Sequence, residues 1–351
     1  MKPVLSYGPL LQAELLAFIK AGNLGEKTGI AWGDDFLERL ESFATTGKLL
    51  RGSILCFSYE VFARQRPGKA VMNAAMALEL AHSGLLMHDD VMDNDDMRRG
   101  QPAMHRQYQL EAERTGLANS RQFGLSMAIS GGDAALFLAL ELLGESLSSD
   151  RETVHYELFV SQLLHTCIGQ MQDVYLEALP GLPSKKDIYT LMGVKTAAYT
   201  LALPLAMGAA LAGAPVPVLR RLEAIGTSAG IIFQIRDDEL GIMGDSEKTG
   251  KPVGSDIKEG KKTLIYYYLF KKCSQEERRK LAAIFGDPAA SASDIVYVQE
   301  LFRRHETGKY LGAETARLQR KAKARIDRLD IPDESQRTLN ELVEFCARRR
   351  V

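Results

Sequence analysis

Residues 74–100 read AAMALELAHSGLLMHDDVMDNDDMRRG. From Ala74 to His88 the stretch is apolar nearly all the way round a helical wheel, and it is rich in the strong helix formers alanine, leucine and methionine. A helix apolar on every side must be enclosed by other helices. Its end then carries carboxylates: Asp89 and Asp93, four residues apart, share one face, and Asp90 lies about 100° round the wheel. Like charges at that spacing each destabilise a helix by about 0.2–0.5 kcal/mol. Carboxylates left unpaired at the edge of an apolar core cost more. A compensating cation is expected, and hard oxygen ligands completed by water and phosphate oxygens describe Mg²⁺. Arg98 and Arg99 follow closely, with guanidinium forks suited to phosphate.

Outward from this stretch the chain reads as helix after helix. Long apolar or amphipathic segments cover Asp133–Leu147, Val154–Leu179, Lys186–Ala214, Pro217–Leu240, Thr263–Leu269 and Asp333–Arg349, and strands with Asn-Gly or Asp-Gly turns are missing. Breakers cluster at Arg66–Gly68, Gly131–Gly132, Leu179–Ser184, Gly241–Gly260 and Gly286–Pro288. No fixed-period repeat or low-complexity linker divides the 351 residues. The expectation is one all-α domain over residues 1–351, a large helical bundle.

Bulk properties narrow the function. The chain is 46% hydrophobic and 25% charged, a globular balance, and its net charge of −1 gives no support for a nucleic-acid partner. Four scattered cysteines without a C-x-x-C pair argue against a zinc site or a disulfide framework and suit a reducing cytoplasm. The first residues read as an amphipathic helix and not as a signal peptide. Thr196–Leu219 holds no charged residue and is long enough to cross a bilayer. Pro204, Pro215, Pro217, Gly208, Gly213 and its many alanines make it a buried core helix instead, so no membrane span is expected.

A second acidic motif stands at 233–241, FQIRDDELG. One adjacent pair, Asp237 and Asp238, would alone read as a solvated helix end. Two apolar helices that each lead into paired aspartates and then into basic residues look like two walls of one metal-and-anion site. After the second comes the lysine-bearing loop GKPVGSDIKEGKKT (250–263), suited to closing over a phosphate.

These residues resemble the trans-isoprenyl diphosphate synthases, the polyprenyl synthetase family, over about residues 40–270. The first motif is similar to that family's first aspartate-rich motif followed by RRG. Phe233–Thr263 is similar to its second motif and following loop, and Gly47-Lys48-Leu49-Leu50-Arg51 to its GKxxR segment. The resemblance implies an isoprenoid synthase bundle with a central active-site cavity. It also implies head-to-tail condensation of isopentenyl diphosphate with an allylic diphosphate in trans geometry. About three Mg²⁺ ions would be held by Asp89, Asp93 and Asp237, supported by Asp90 and Asp238. Lys48, Arg51, His82 and Arg99 match the isopentenyl diphosphate site. Arg98, Lys195, Thr196 and Lys251 match positions on the allylic diphosphate, and Gln170, Asp173, Gln234 and Lys261 further substrate-facing positions. A homodimer is expected on the same ground.

Taken singly, many of these have plainer readings. Lys48 and Arg51 could form a solvated basic edge, His82 a satisfied core histidine and Lys195 a snorkelling cation. Their joint placement decides. The chain also departs from the family: Gly241 replaces a third aspartate common in the second motif, Thr46 a glycine and Gly52 a proline. Product length should be set on the helix face below Asp89, by Leu85, Gly84 and Ala81. Farnesyl-producing members carry bulky aromatics at the first two of these positions. The expected product is therefore geranylgeranyl diphosphate or somewhat longer, with Gly84 as the gap. The alternatives are a class I terpene cyclase, which needs no isopentenyl diphosphate site, and a non-catalytic subunit of a heteromeric synthase.

Overall fold

In the computed structural model residues 1–146, 153–244 and 254–348 are described. In chain order the first helices are α1 (Lys2–Leu5), α2 (Gly8–Ala21), α3 (Leu24–Thr28), α4 (Trp32–Thr45), α5 (Leu50–Ala63) and α6 (Lys69–Asp93). A two-residue ribbon, β1 (Met97–Arg98) with β2 (Gln101–Pro102), follows antiparallel. Then come α7 (Met104–Thr115), α8 (Ser120–Glu145), α9 (Thr153–Ala178) and α10 (Lys185–Leu191), which runs into a π-helix at Met192–Ala202. After α11 (Leu203–Leu211) and α12 (Val216–Met243), shorter helices lead to Thr307–Ile326 and Asp333–Arg348. The all-α expectation holds.

The described chain falls into two compact units, Lys2–Tyr156 with Met207–Ala214, and Glu157–Ala206 with Pro215–Val351 and Met1. In the first, α6 packs on α8, α5 and α2. Its core positions Leu78, Leu80 and Met87 are at most 2% exposed, and full burial of each contributes roughly 1.5–3 kcal/mol. The helix ends at Asn94, in the left-handed conformation at φ 54°, which asparagine tolerates better than most residues.

Gly131–Gly132 is not a break. It lies inside the unbroken α8, where the absent side chains admit α6 at close range. A Cβ on Gly84 would meet the Gly132 carbonyl oxygen at 2.7 Å and Leu136 Cγ at 3.1 Å.

In the second unit α12 packs on the π-helix and on Thr307–Ile326 and Asp333–Arg348. The helical run through Lys185–Leu211 tolerates Pro204, which sits in the first turn of α11. The run stops before Gly213 at φ 78°. Among the described residues three helices, Lys69–Asp93, Ser120–Glu145 and Lys185–Leu211, are long and apolar enough to cross a membrane. The most apolar window of Lys69–Asp93 is 83% buried within the fold, that of Ser120–Glu145 33%.

Candidate active site

In the first unit the loop between α4 and α5 carries Lys48 on strained backbone. Gly47 stands at φ 136° and Leu49, a bulky residue, at φ 42°. A left-handed non-glycine residue costs about 1–3 kcal/mol, and such strain concentrates at functional sites. Against this loop lies Arg99, itself at φ 53°. Its guanidinium donates to the carbonyl oxygens of Phe43 at 3.3 Å and of Thr46. Thr46 has an ordinary φ of −84°, so the missing glycine there costs no strain.

Beneath this loop is a residue that the sequence reading passed over. Glu79 is 4% exposed on α6 and accepts the Gly52 N–H at 2.8 Å. A proline at 52 has no such hydrogen to give, so this departure from the family serves a bond. Burial pushes the Glu79 carboxyl up, while Arg51, the Gly52 amide and Arg99 pull it down. His82, one turn along α6, is held neutral, well below the usual histidine range, by burial and by the charges of Arg51, Arg99 and Arg98. The signal for Glu79 was available, since it is the one charged residue between Lys69 and Asp89.

At the end of α6, Asp89 and Asp93 are half-buried and Asp90 is fully buried. Arg98 Nε donates to Asp90 Oδ1 at 2.6 Å and its Nη2 to Asp95 at 3.3 Å. Arg98 thus bridges two carboxylates. Burial pushes Asp90 up to about 6 against the pull of Arg98, and its Oδ2 is buried without a hydrogen-bond partner.

Below Asp89, Ala81 is 1% exposed and Leu85 half-exposed on α6. Gly84 turns the other way, into α8. A side chain added at Gly84 would meet α8 first, at the Gly132 carbonyl and Leu136.

In the second unit Lys195, within the π-helix, pairs with Asp173 of α9 at 2.5 Å. Gly169 makes the approach possible, because a Cβ there would lie 2.9 Å from the Lys195 backbone. Thr196 and Gln170 are half-buried on the same two helices. On α12, Gln234 donates to Asp238 Oδ1 at 2.7 Å, and Asp238 is 5% exposed beside the half-buried Asp237. Burial and the charges of Asp256 and Asp237 drive the Asp238 carboxyl well up, with Gln234 and Lys261 opposing. Lys261 pairs with Glu259 at 2.6 Å. Lys251 lies outside the described residues.

Gly241 has a structural explanation. A Cβ there would lie 2.5 Å from Asp256 Oδ2. Asp256 belongs to the short helix Ser255–Glu259, tied to α12 by the Gly254 N–H donating to the Gly241 carbonyl at 3.0 Å. A third carboxylate therefore reaches α12 from another helix, next to the position where the motif has lost its own.

Each unit thus offers clustered carboxylates and cations of the kind used by enzymes that bind diphosphates through metal ions. Residues 35–302 match the polyprenyl synthetase family, and the chain belongs to it. It is similar to the geranylgeranyl diphosphate synthase of Sulfolobus acidocaldarius, 32% identical over 319 residues and 88% of each chain. It is also similar to the (2E,6E)-farnesyl diphosphate synthase of Mycobacterium bovis, 31% identical over 314 residues, 86% of this chain and 80% of that one. Among solved structures, a geranylgeranyl pyrophosphate synthase from Corynebacterium glutamicum, complexed with isoprenyl diphosphate and magnesium, superposes with a TM-score of 0.91. It is 30% identical and covers 98% of this chain and 99% of its own. The protein is an all-α prenyltransferase.

Proposed function

We propose that the enzyme condenses isopentenyl diphosphate head-to-tail with an allylic diphosphate in trans geometry, releasing pyrophosphate, to give geranylgeranyl diphosphate or a somewhat longer chain. The observation that carries this is the gathering of Arg51, Arg99 and neutral His82 around buried Glu79, beside the strained Gly47–Leu49 turn that carries Lys48. A terpene cyclase has no isopentenyl group to hold and no use for it.

The donor sets suit Mg²⁺, with about three ions per site as the family resemblance implies. Asp89 and Asp93 would hold ions in the first unit, and Asp237 in the second, with Asp238 and Asp256 beside it. The orphaned Asp90 Oδ2 and the carboxylate seated at Gly241 are hard oxygen donors that a cation would complete. Mg²⁺, when bound, supplies positive charge to the diphosphate oxygens.

Arg98, Lys195, Thr196 and Lys251 are the groups assigned to the allylic diphosphate, and Gln170, Asp173, Gln234 and Lys261 face the substrate with them. Arg98 fixes Asp90 and Asp95. Cleavage of the allylic C–O bond places negative charge on departing pyrophosphate, which fixed cations stabilise. The allylic cation must be kept from water, and the apolar α6 leading to Asp89 suits that need. Lys48, Arg51, His82 and Arg99 orient the isopentenyl double bond, whose electrons form the new C–C bond. The proton then lost goes to pyrophosphate, so no side-chain base is needed. Leu85, not an aromatic residue, supports a product of at least geranylgeranyl length.

We extend the proposal to a homodimer without a membrane span, working in the cytoplasm. Val160, Leu164, Ile168, Met171 and Tyr175 are exposed along one face of α9, an apolar stripe suited to a second copy. The test of function is incubation with isopentenyl diphosphate, each allylic starter and Mg²⁺, followed by product chain-length analysis. Asp89→Ala and Asp237→Ala should each lower turnover by about 10²-fold or more. Inert wild-type protein would favour the non-catalytic subunit instead.

A further inference from the structure

Glu79 is an unusual residue for its place. It is a carboxylate 4% exposed, midway along a helix whose neighbours Met76, Ala77, Leu78 and Leu80 are at most 2% exposed. An unpaired buried carboxylate is strongly destabilising, and burying a charge is tolerated only where it is paired and hydrogen-bonded. Its partners include the Gly52 amide at 2.8 Å, the Arg51 amide, and the charges of Arg51 and Arg99. These two guanidiniums come from different elements, one from the start of α5 and one from the ribbon beyond α6. Like charges repel unless an anion lies near: burial and then Arg51 lower the Arg99 guanidinium, while Glu79 pulls the other way.

We propose that Glu79 is a positioning residue for the isopentenyl diphosphate site. Its buried carboxylate holds the Arg51 and Arg99 guanidiniums together in the orientation that receives the diphosphate, and it anchors the first turn of α5 through Gly52. It does not touch the reacting atoms. The assignment rests on the function proposed above.

Glu79 preorganises the two guanidiniums. Arginine carries a long, flexible side chain, and each free side chain ordered on binding costs conformational entropy. A carboxylate fixed in the core settles that cost during folding. The strained Gly47–Leu49 turn and the Arg99 bonds to Phe43 and Thr46 complete the same support. A negative charge so near an anion site would be counterproductive unless its role were to arrange cations.

The test is Glu79→Gln, which keeps the shape and the acceptor for the Gly52 N–H but removes the charge. The expected result is a tenfold or greater rise in KM for isopentenyl diphosphate, with KM for the allylic substrate within twofold of wild type. Glu79→Asp keeps the charge at shorter reach and should show a smaller rise confined to the same substrate. It also carries the test should the glutamine variant fail to fold. Equal changes in both KM values, or an unchanged KM for isopentenyl diphosphate, would overturn the assignment. The wild-type enzyme separates the two readings. If it does not consume isopentenyl diphosphate the proposed function fails, whereas turnover with an indifferent Glu79→Gln removes only the role of Glu79.

Discussion

The carbonyl oxygen of Gly132 lies 2.7 Å from where a Cβ on Gly84 would stand. Gly84 is thus a close contact between α6 and α8. Gly84→Ala should destabilise the protein by about 1–3 kcal/mol, the cost of overpacking a close contact, and leave product length unchanged. Leu85→Phe, on the Asp89 face, should shorten the product. Denaturant unfolding and chromatography of the dephosphorylated products check both. A fully stable Gly84→Ala enzyme with shorter products would restore the glycine as the floor.

The carboxylate of Asp256 occupies the place of a residue-241 side chain, so it should share in metal binding. Asp256→Asn is expected to raise the Mg²⁺ concentration for half-maximal turnover by about tenfold, the scale of a supporting ligand. Gly241→Ala should move in the same direction, because the added methyl displaces that carboxylate. Magnesium titrations at saturating substrate measure the effect, and superimposable curves would dismiss it.

Glu314, on the helix Thr307–Ile326, is held by Lys185 Nζ at 2.5 Å, Tyr189 OH at 2.7 Å and Arg317 Nε at 2.9 Å. Burial raises its carboxyl, but the hydrogen bonds from Lys185, Tyr189 and Arg317 outweigh that and hold it down to about 2. An unfolded glutamate titrates near about 4.3. A depressed folded value means that this stability is fully present above the unfolded pKa and is lost as pH falls from about 5 towards 2. Glu314→Gln should lower Tm at pH 7, and the gap to wild type should close as the pH approaches 2. Melts across that range would reveal a constant gap if the network contributed no pH-linked stability.

Leu164 is 59% exposed and Met171 68% exposed on α9. Leu164→Glu should shift a homodimer to monomer, read by sedimentation, with the melting of the isolated chain little changed. A dimer unaffected by a charge at this position would place the interface elsewhere.

Most of the fold could be read from periodicity because buried helices announce themselves. Ala74–His88 had to be enclosed, and it is. Gly131–Gly132 misled because a glycine pair signals a turn and a close helix crossing equally well; only the partner helix distinguishes them. The aspartates and basic residues were legible as a set because adjacent charges after an apolar run are costly unless used. The partner of each charge was not legible. Arg98 faces Asp90 and Asp95, and Asp173 faces Lys195 across 22 residues of sequence. Asp256 was hidden because its relation to Gly241 is a matter of space, which spacing along the chain does not record.

The π-helix at Met192–Ala202 is an angular adjustment built into one continuous rod. Within it Lys195 meets Asp173 of α9, while two residues on Ala197 packs where Gly230 of α12 leaves room. In an ordinary helix, adding or removing a residue turns everything beyond it by about 100°. A stretch of wider turns sets that phase locally. Shortening it by a single residue should preserve helix content while swinging one of those two side chains out of step with its neighbour. The charged pair and the packed pair are therefore indexed to each other by the width of a turn, and an enzyme with Lys195 and Thr196 intact would still be put out of step by losing another residue of this stretch.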